Sequence, residues 1–280
     1  MEKVLGPVVA GKFYPEERKE LIERIEECYR HQFGPGKLPA RTKEVYSNPV
    51  GLIAPHAGYR FSGPIAAQAY HWLAELGRLE AVVVVGTNHS GMGPSASIID
   101  GGEWVTPLGT LEIDRDLAGN ILEASEKLER DYATFSREHS IEVQLPFLQH
   151  LWGSDFSFVP ICLKDQRRRV AEDVSDALTE ATPPGTLLIA STDFSHYELQ
   201  EVAEEKDERA IKSIMDGDLS KLYDDISEYG ISICGYGAIA VLLSYARKKD
   251  LEPHRLKYAT SGEVSGYGRE VVGYSAIGFS

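Results

Sequence analysis

The stretch "EAVVVVGTNHSGMG", residues 80–93, runs an unbroken apolar segment into a polar loop that carries His89. Successive side chains of a strand point to opposite faces, so a strand with one wet face alternates apolar and polar residues. A run without alternation is expected where both faces are covered by helices. The same arrangement recurs in "GLIAPHAGYRFSG", residues 51–63, which leads into His56, and in "GTLLIASTDFSHYE", residues 185–198, which leads into Asp193 and His196. "FSFVPICL", residues 156–163, is a fourth apolar run. Helical patterns lie between them: "PIAAQAYHWLAELG", "RDLAGNILEAS", "HSIEVQLPFLQHLW", "RRRVAEDVSDALTEA", "LQEVAEEKDERAIKSIMDG" and "GAIAVLLSYARKK". The order is largely strand then helix. It predicts a single domain over residues 1–280, an α/β/α sandwich around a mixed, largely parallel sheet. The sheet is expected to be mixed because "RLKYATSGEVSG" and "EVVGYSAIGF" read as strands around a Gly-rich turn added to one side. Residues 93–114 read as hairpin material, and "GPGKLPARTKEVYSNP", residues 34–49, as a surface loop.

Composition narrows the function classes. A chain of 280 residues can bury one large core. Its net charge of -14 argues against a nucleic acid or an anionic membrane as the partner, since binding either relies on clustered Lys and Arg. The one basic run, Arg167 to Arg169, reads as a solvated helix start. No window approaches the roughly 20 apolar residues of a membrane helix, and "MEKVLGPVVAGKFYPEE" lacks a signal peptide's apolar centre, so a cytoplasmic protein is expected. Cys28, Cys162 and Cys234 are odd in number and widely spaced, which suggests neither a disulfide framework nor a four-cysteine zinc site. Cys28 and Cys162 read as packed thiols. Cys234 precedes a Gly-rich start to an apolar helix, where backbone N–H groups are expected to lower its pKa.

Ligands of open α/β sheets bind outside the carboxyl ends of the strands, so the loops bearing His56, His89, Asp193 and His196 are expected to converge. Two imidazoles and the Cys234 thiolate would form a ligand set suited to iron or copper, with zinc as a further option, and would leave a coordination position open. His196 and Asp193 are then the candidate acid/base pair, the carboxylate orienting the imidazole. Tyr59 and Arg60 are expected at the pocket mouth. His139 and Glu142, one turn apart in "REHSIEVQLPFL", read either as supports for the site or as a helix start capped by Ser140. Taken singly, each of these residues has a bland reading: a loop histidine, a core thiol, or a cap in "STDF". Their coincidence at one rim is what points to chemistry. No phosphate loop, dinucleotide fingerprint, GxSxG elbow or HExxH motif occurs.

As a set, "VAGKFYP", "APHAGYRFSG", "VVVVGTNHSG", "REHSIEVQLPFL", "ASTDFSHY" and "CGYGAIAVLL" resemble the Memo family and its prokaryotic relatives. That resemblance covers nearly the whole chain. It implies a fold similar to the catalytic subunits of class III extradiol dioxygenases, a metal site on His56, His89 and Cys234, and pocket residues Asp193 and His196. It also implies association with radical-SAM and AMMECR-type proteins. The dioxygenases carry a carboxylate where Cys234 stands, so ordinary ring cleavage is not the expectation. Two functions follow. One is a metal-dependent redox enzyme acting on a small molecule; the other is a binding module that uses the pocket for a peptide or small anionic ligand. A Cys234/His196/Asp193 hydrolase is a third reading, for which no oxyanion-hole motif can be named.

Overall fold

Both faces of the central strands are dry, as the unbroken apolar runs require. Val82 and Val84 enter one core, Val83 and Val85 the other, and all are buried. The computed structural model describes residues 3–40 and 44–280. Within the expected surface loop 34–49, residues 41–43 lie outside the described residues, as do residues 1 and 2 of the N-terminal stretch.

Along the chain come β1 (Val4–Leu5), α1 (Arg18–Arg30), β2 (Val50–Ala54), α2 (Gly63–Leu76) and β3 (Ala81–Thr87). Next are β4 (Ala96–Ile98), β5 (Glu103–Thr106), β6 (Gly109–Ile113), α3 (Arg115–Ala124), β7 (Leu128–Arg130) and α4 (Leu145–Trp152). They are followed by β8 (Ser157–Leu163), α5 (Arg168–Ala181), β9 (Thr186–Ser191), β10 (His196–Leu199), α6 (Gln200–Met215) and α7 (Leu219–Tyr229). The chain ends with α8 (Tyr236–Lys249), β11 (Pro253–Thr260), α9 (Ser261–Ser265) and β12 (Glu270–Phe279). Among the described residues the strands form one sheet, a single-domain α/β arrangement, with path β1-β5-β6-β8-β3-β9-β2-β12-β10. Its heart, β8-β3-β9-β2, is parallel throughout. β12 adds antiparallel to β2 and carries β10 and β11, so the sheet is mixed.

The crossovers explain the two layers. From β2 the chain passes over β9 to reach β3, with α2 between; from β8 it passes over β3 in the opposite direction to reach β9, with α5 between. Parallel crossovers are right-handed, so opposite directions place the helices on opposite faces. α1, α2 and α4 cover one face, and α3, α5, α6 and α8 the other. α5 shows the pattern that permits this, burying Val170, Ala171, Val174, Ala177 and Leu178 at helical spacing while Arg168 and Glu172 face solvent.

Two expectations are corrected, one alternative falls away and one helix is added. The helix expected over residues 139–152 begins only at Leu145, after a single turn of tighter helix at Glu142–Gln144. Pro146 has no N–H to give the Glu142 carbonyl, so the α pattern cannot extend back through it. The strand expected through "RLKYATSGEVSG" stops at Thr260, where a capping box between Thr260 and Glu263 starts the short α9. "STDF" caps no helix, since the edge strand β10 follows it. The segment Leu219–Tyr229 forms α7, which the sequence reading did not anticipate; Asp218 caps it and Gly230 ends it.

Candidate metal centre

His56 lies two residues beyond β2, His89 two beyond β3 and Asp193 two beyond β9, all at the carboxyl ends of parallel neighbours. Cys234 reaches the same rim from the loop before α8. Its carbonyl accepts hydrogen bonds from Thr87 Oγ1 at 2.8 Å and Gln166 Nε2 at 2.7 Å, and its N–H donates to the Asp193 carbonyl at 3.3 Å. Residues flanking three central strands thus hold the cysteine in place. Gln144 does the same for the histidine side: its Nε2 donates to Ser191 Oγ at 2.7 Å and to the Pro55 carbonyl at 3.0 Å.

Hydrogen bonding fixes the tautomer of each ligand histidine. The Ser191 hydroxyl donates to the Ser140 carbonyl at 2.6 Å, so toward His56 Nδ1, 3.0 Å away, it can only accept. The proton of His56 therefore sits on Nδ1, and the Nε2 lone pair points at Cys234 Sγ, 3.2 Å away. His89 Nδ1 lies 3.0 Å from Glu138 Oε1, and the His89 N–H donates to Oε2 at 2.7 Å. A carboxylate only accepts, so here too the proton is on Nδ1 and Nε2 is the free donor. One ligand atom from each of His56, His89 and Cys234 lies within 4.8 Å of the others. Nitrogen and sulfur bonds of about 2.0 to 2.3 Å would span that separation with small adjustments. The donor set fits a transition ion, and the carboxylate and serine behind the imidazoles are the partners such ligands need.

The electrostatics correct one expectation. Burial, followed by the Asp193 carboxylate, pushes the Cys234 thiol well above its ordinary range, outweighing the N–H of Asp193 that donates to Sγ at 3.2 Å. The helix start does not create a thiolate; an ion would have to displace the proton. Burial, then the neighbouring His89 and His139, holds His56 well below the usual imidazole range, which keeps it a neutral donor. Burial alone would raise Glu138, but the hydrogen bond and charge of His89 and the N–H groups of Ser140 and His89 bring it down to about 2.

The remaining expected residues divide. His196 lines a cavity of about 540 Å³ above His56 and His89, together with Asp193 and His139. Its Nδ1 lies 2.9 Å from the Ser232 carbonyl, so Nδ1 carries the proton and Nε2 is free. Ser232, not Asp193, orients it; Asp193 Oδ1 instead accepts the His56 N–H at 2.8 Å and pins that loop. Burial raises the Asp193 carboxyl to about 6. His139 stacks on His89 at 4.6 Å, and burial lowers it to about 4.

Tyr59 is not at the mouth, and Arg60 is not among the residues that line the cavity. Tyr59 is buried, donating to the Val143 carbonyl at 2.7 Å; Arg60 is exposed, and Phe61 beside it is part of the cavity wall. Glu142 is also placed elsewhere: it accepts from the Val8 and Val9 N–H groups and the Tyr14 hydroxyl, holding the N-terminal segment. Ser140 caps no helix, because its hydroxyl exchanges hydrogen bonds with the backbone of Thr87. In the sequence Glu138 is legible only as an acid beside His139 and Glu142, and the role of Ser232 leaves no mark in its own segment.

Comparison with known proteins gives the family of the chain. The profile of the Memo family, described as Memo-like protein, matches residues 6–278. A MEMO1 family protein of Thermotoga maritima is 48% identical over 278 residues, covering 98% of this chain and 99% of its own. Another, from Methanopyrus kandleri, is 43% identical over 278 residues and covers 98% of both chains. Among solved structures, an uncharacterized protein of Escherichia coli K12 superposes with a TM-score of 0.53 at 12% identity, over 82% of this chain and 98% of its own, a likeness of fold alone. The chain therefore belongs to the Memo family.

Proposed function

We propose that this protein is a copper- or iron-dependent redox enzyme acting on a small molecule held in the cavity above His56 and His89. The observation that carries the reading is the pair of enforced tautomers, which turns the His56 Nε2 lone pair to the Cys234 sulfur and leaves the His89 Nε2 lone pair free in the same cluster of three donors. Three protein donors leave coordination open to a substrate. An imidazole and thiolate set suits iron and copper, and it also accepts zinc. When bound, the ion would supply a Lewis acid and an electron-transfer partner for oxygen or the bound molecule.

The chain's own residues do the rest. Asp193 fixes the His56 loop and Glu138 orients His89. His196, with Nδ1–H on the Ser232 carbonyl, offers Nε2 as the base that takes a proton from the ligand and returns it. Phe13, Phe61 and Val272 give the cavity apolar walls that limit water.

Elemental analysis of protein purified without a histidine tag, followed by oxygen uptake and reductant oxidation by the metal-loaded protein, tests the proposal. Wild type is expected to carry copper or iron and to turn over. His196→Ala should keep the metal and lose about 10² to 10⁴ in rate, with a smaller loss for Asp193→Asn. The same background rate in all three proteins would remove the enzyme reading and leave a binding module for a peptide or small anionic ligand.

A further inference from the structure

We infer that the N-terminal turn Val8–Tyr14 is a built wall of the cavity, and that its Lys12 recognises the carboxylate of an apolar-bodied monoanion. This rests on the reading of the cavity as the ligand site and names the class of ligand it takes. The turn is tightly organised: Gly11 N–H bonds the Tyr14 carbonyl at 2.7 Å, and the N–H groups of Lys12 and Phe13 bond the Val9 carbonyl at 3.0 and 2.9 Å. Gly11 has φ 76°, a conformation that favours glycine. The base of the turn is latched by Glu142, a fully buried carboxylate that takes the Val8 and Val9 N–H groups and the Tyr14 hydroxyl. On the inner side the Phe13 carbonyl accepts the Tyr59 N–H at 2.8 Å, and the Phe13 ring meets His139 edge-on at 4.9 Å. A buried carboxylate is costly to place; here it serves to seat one short segment beside the site.

What the turn presents is Phe13 and the exposed Lys12, both of which line the cavity. Among the described residues the Lys12 side chain makes no ion pair, hydrogen bond or ring contact, whereas Lys19, Lys37, Lys206, Lys212, Lys221 and Lys248 pair with acids, Lys164 and Lys249 with backbone carbonyls, and Lys3 and Lys257 lie over aromatic rings. Phe61, Val272 and Tyr274 make the opposing wall largely apolar. Apart from the histidines, the other charged groups facing the cavity are Asp193, whose Oδ1 is taken by the His56 N–H, and Glu270. Glu270 would repel a second negative charge, which favours a monocarboxylate over a phosphate dianion.

Titration calorimetry of the full chain at a pH of about 8, above the ordinary histidine range, compares phenylacetate with its neutral isostere phenylacetamide. Both chelator-treated and copper-loaded protein are used. In chelator-treated wild type, phenylacetate is expected to bind about tenfold or more tighter than the amide, as for a charge-assisted hydrogen bond. Lys12→Gln should equalise the two ligands without changing metal content, and Lys12→Arg should keep the preference. Equal affinities in wild type, a preference that survives in Lys12→Gln, or no binding of phenylacetate at millimolar concentration would each overturn the inference. A wild type that takes up no metal yet shows the Lys12-dependent preference would sink the redox reading and leave this one standing.

Discussion

At Cys234 a proton and a metal ion compete for one sulfur lone pair, and the buried setting favours the proton until an ion arrives. Cys234→Ser removes the soft donor while leaving the backbone bonds to Thr87 and Gln166 in place. Affinity for Cu(I) and Fe(II) should fall strongly with little loss of stability; unchanged affinity in a competition titration would make Cys234 a packing residue. Glu138 offers a second test. Its two oxygens accept from His89 Nδ1–H and from the N–H groups of His89, His139 and Ser140. Glu138→Gln must turn an NH₂ toward one of those donors, so metal affinity should drop about 10- to 100-fold. This carboxylate was legible only as a neighbour of His139, because nothing in "REHSIE" says which of its two acids faces the histidines.

At the scale of elements, β3 and the segment 138–141 show how the site depends on close backbone approach. A Cβ on Gly86 would lie 2.4 Å from Ser140 Oγ and 2.8 Å from Ile141 Cγ1. Gly86→Ala should therefore push away the loop that carries Glu138 and His139, costing about 1 to 3 kcal/mol by denaturant unfolding and weakening metal binding in parallel. Gly119→Ala is the control, since a Cβ there meets nothing within 4 Å and α3 should gain about 0.5 to 1 kcal/mol. The long elements were readable because period and length agree, as in α5 and β3. The short ones were not. α9 depends on a capping box that looks like strand sequence, and β10 exists because β12 offers it an edge to pair with.

Across the whole molecule, one buried acid ties layers together and sets a pH dependence. Asp207 on α6 accepts the Ser195 N–H at 2.9 Å and the Tyr258 hydroxyl at 2.8 Å, joining the loop after β9 to β11. Burial outweighs these donors and raises its carboxyl from 3.8 to about 6. A raised carboxyl holds its proton more tightly in the folded state than in the unfolded one. Stability should therefore decline as pH rises from 3.8 to about 6, by on the order of 2 to 3 kcal/mol. Asp207→Asn, with Tyr258 turned to accept, should lose this contribution and decline less steeply, keeping the share of Asp193, which burial raises as well. Unfolding curves at several pH values check it, and parallel profiles for the two proteins would count against the assignment.

Sequence alone determined the layered α/β class, the parallel heart and the rim on which His56, His89, Cys234, Asp193 and His196 lie. Burial on both faces writes itself into unbroken apolar runs, and in such sheets the polar loops follow the strand ends. Tertiary structure alone decided which groups touch. Ser191 and Glu138 set the imidazole protons, Ser232 rather than Asp193 orients His196, and Glu142 holds the N-terminal turn instead of the site. The physical reason is range. Apolar periodicity is a local property of consecutive residues, whereas each of these hydrogen bonds joins segments from 36 to 135 residues apart and depends on where the crossovers set the loops down.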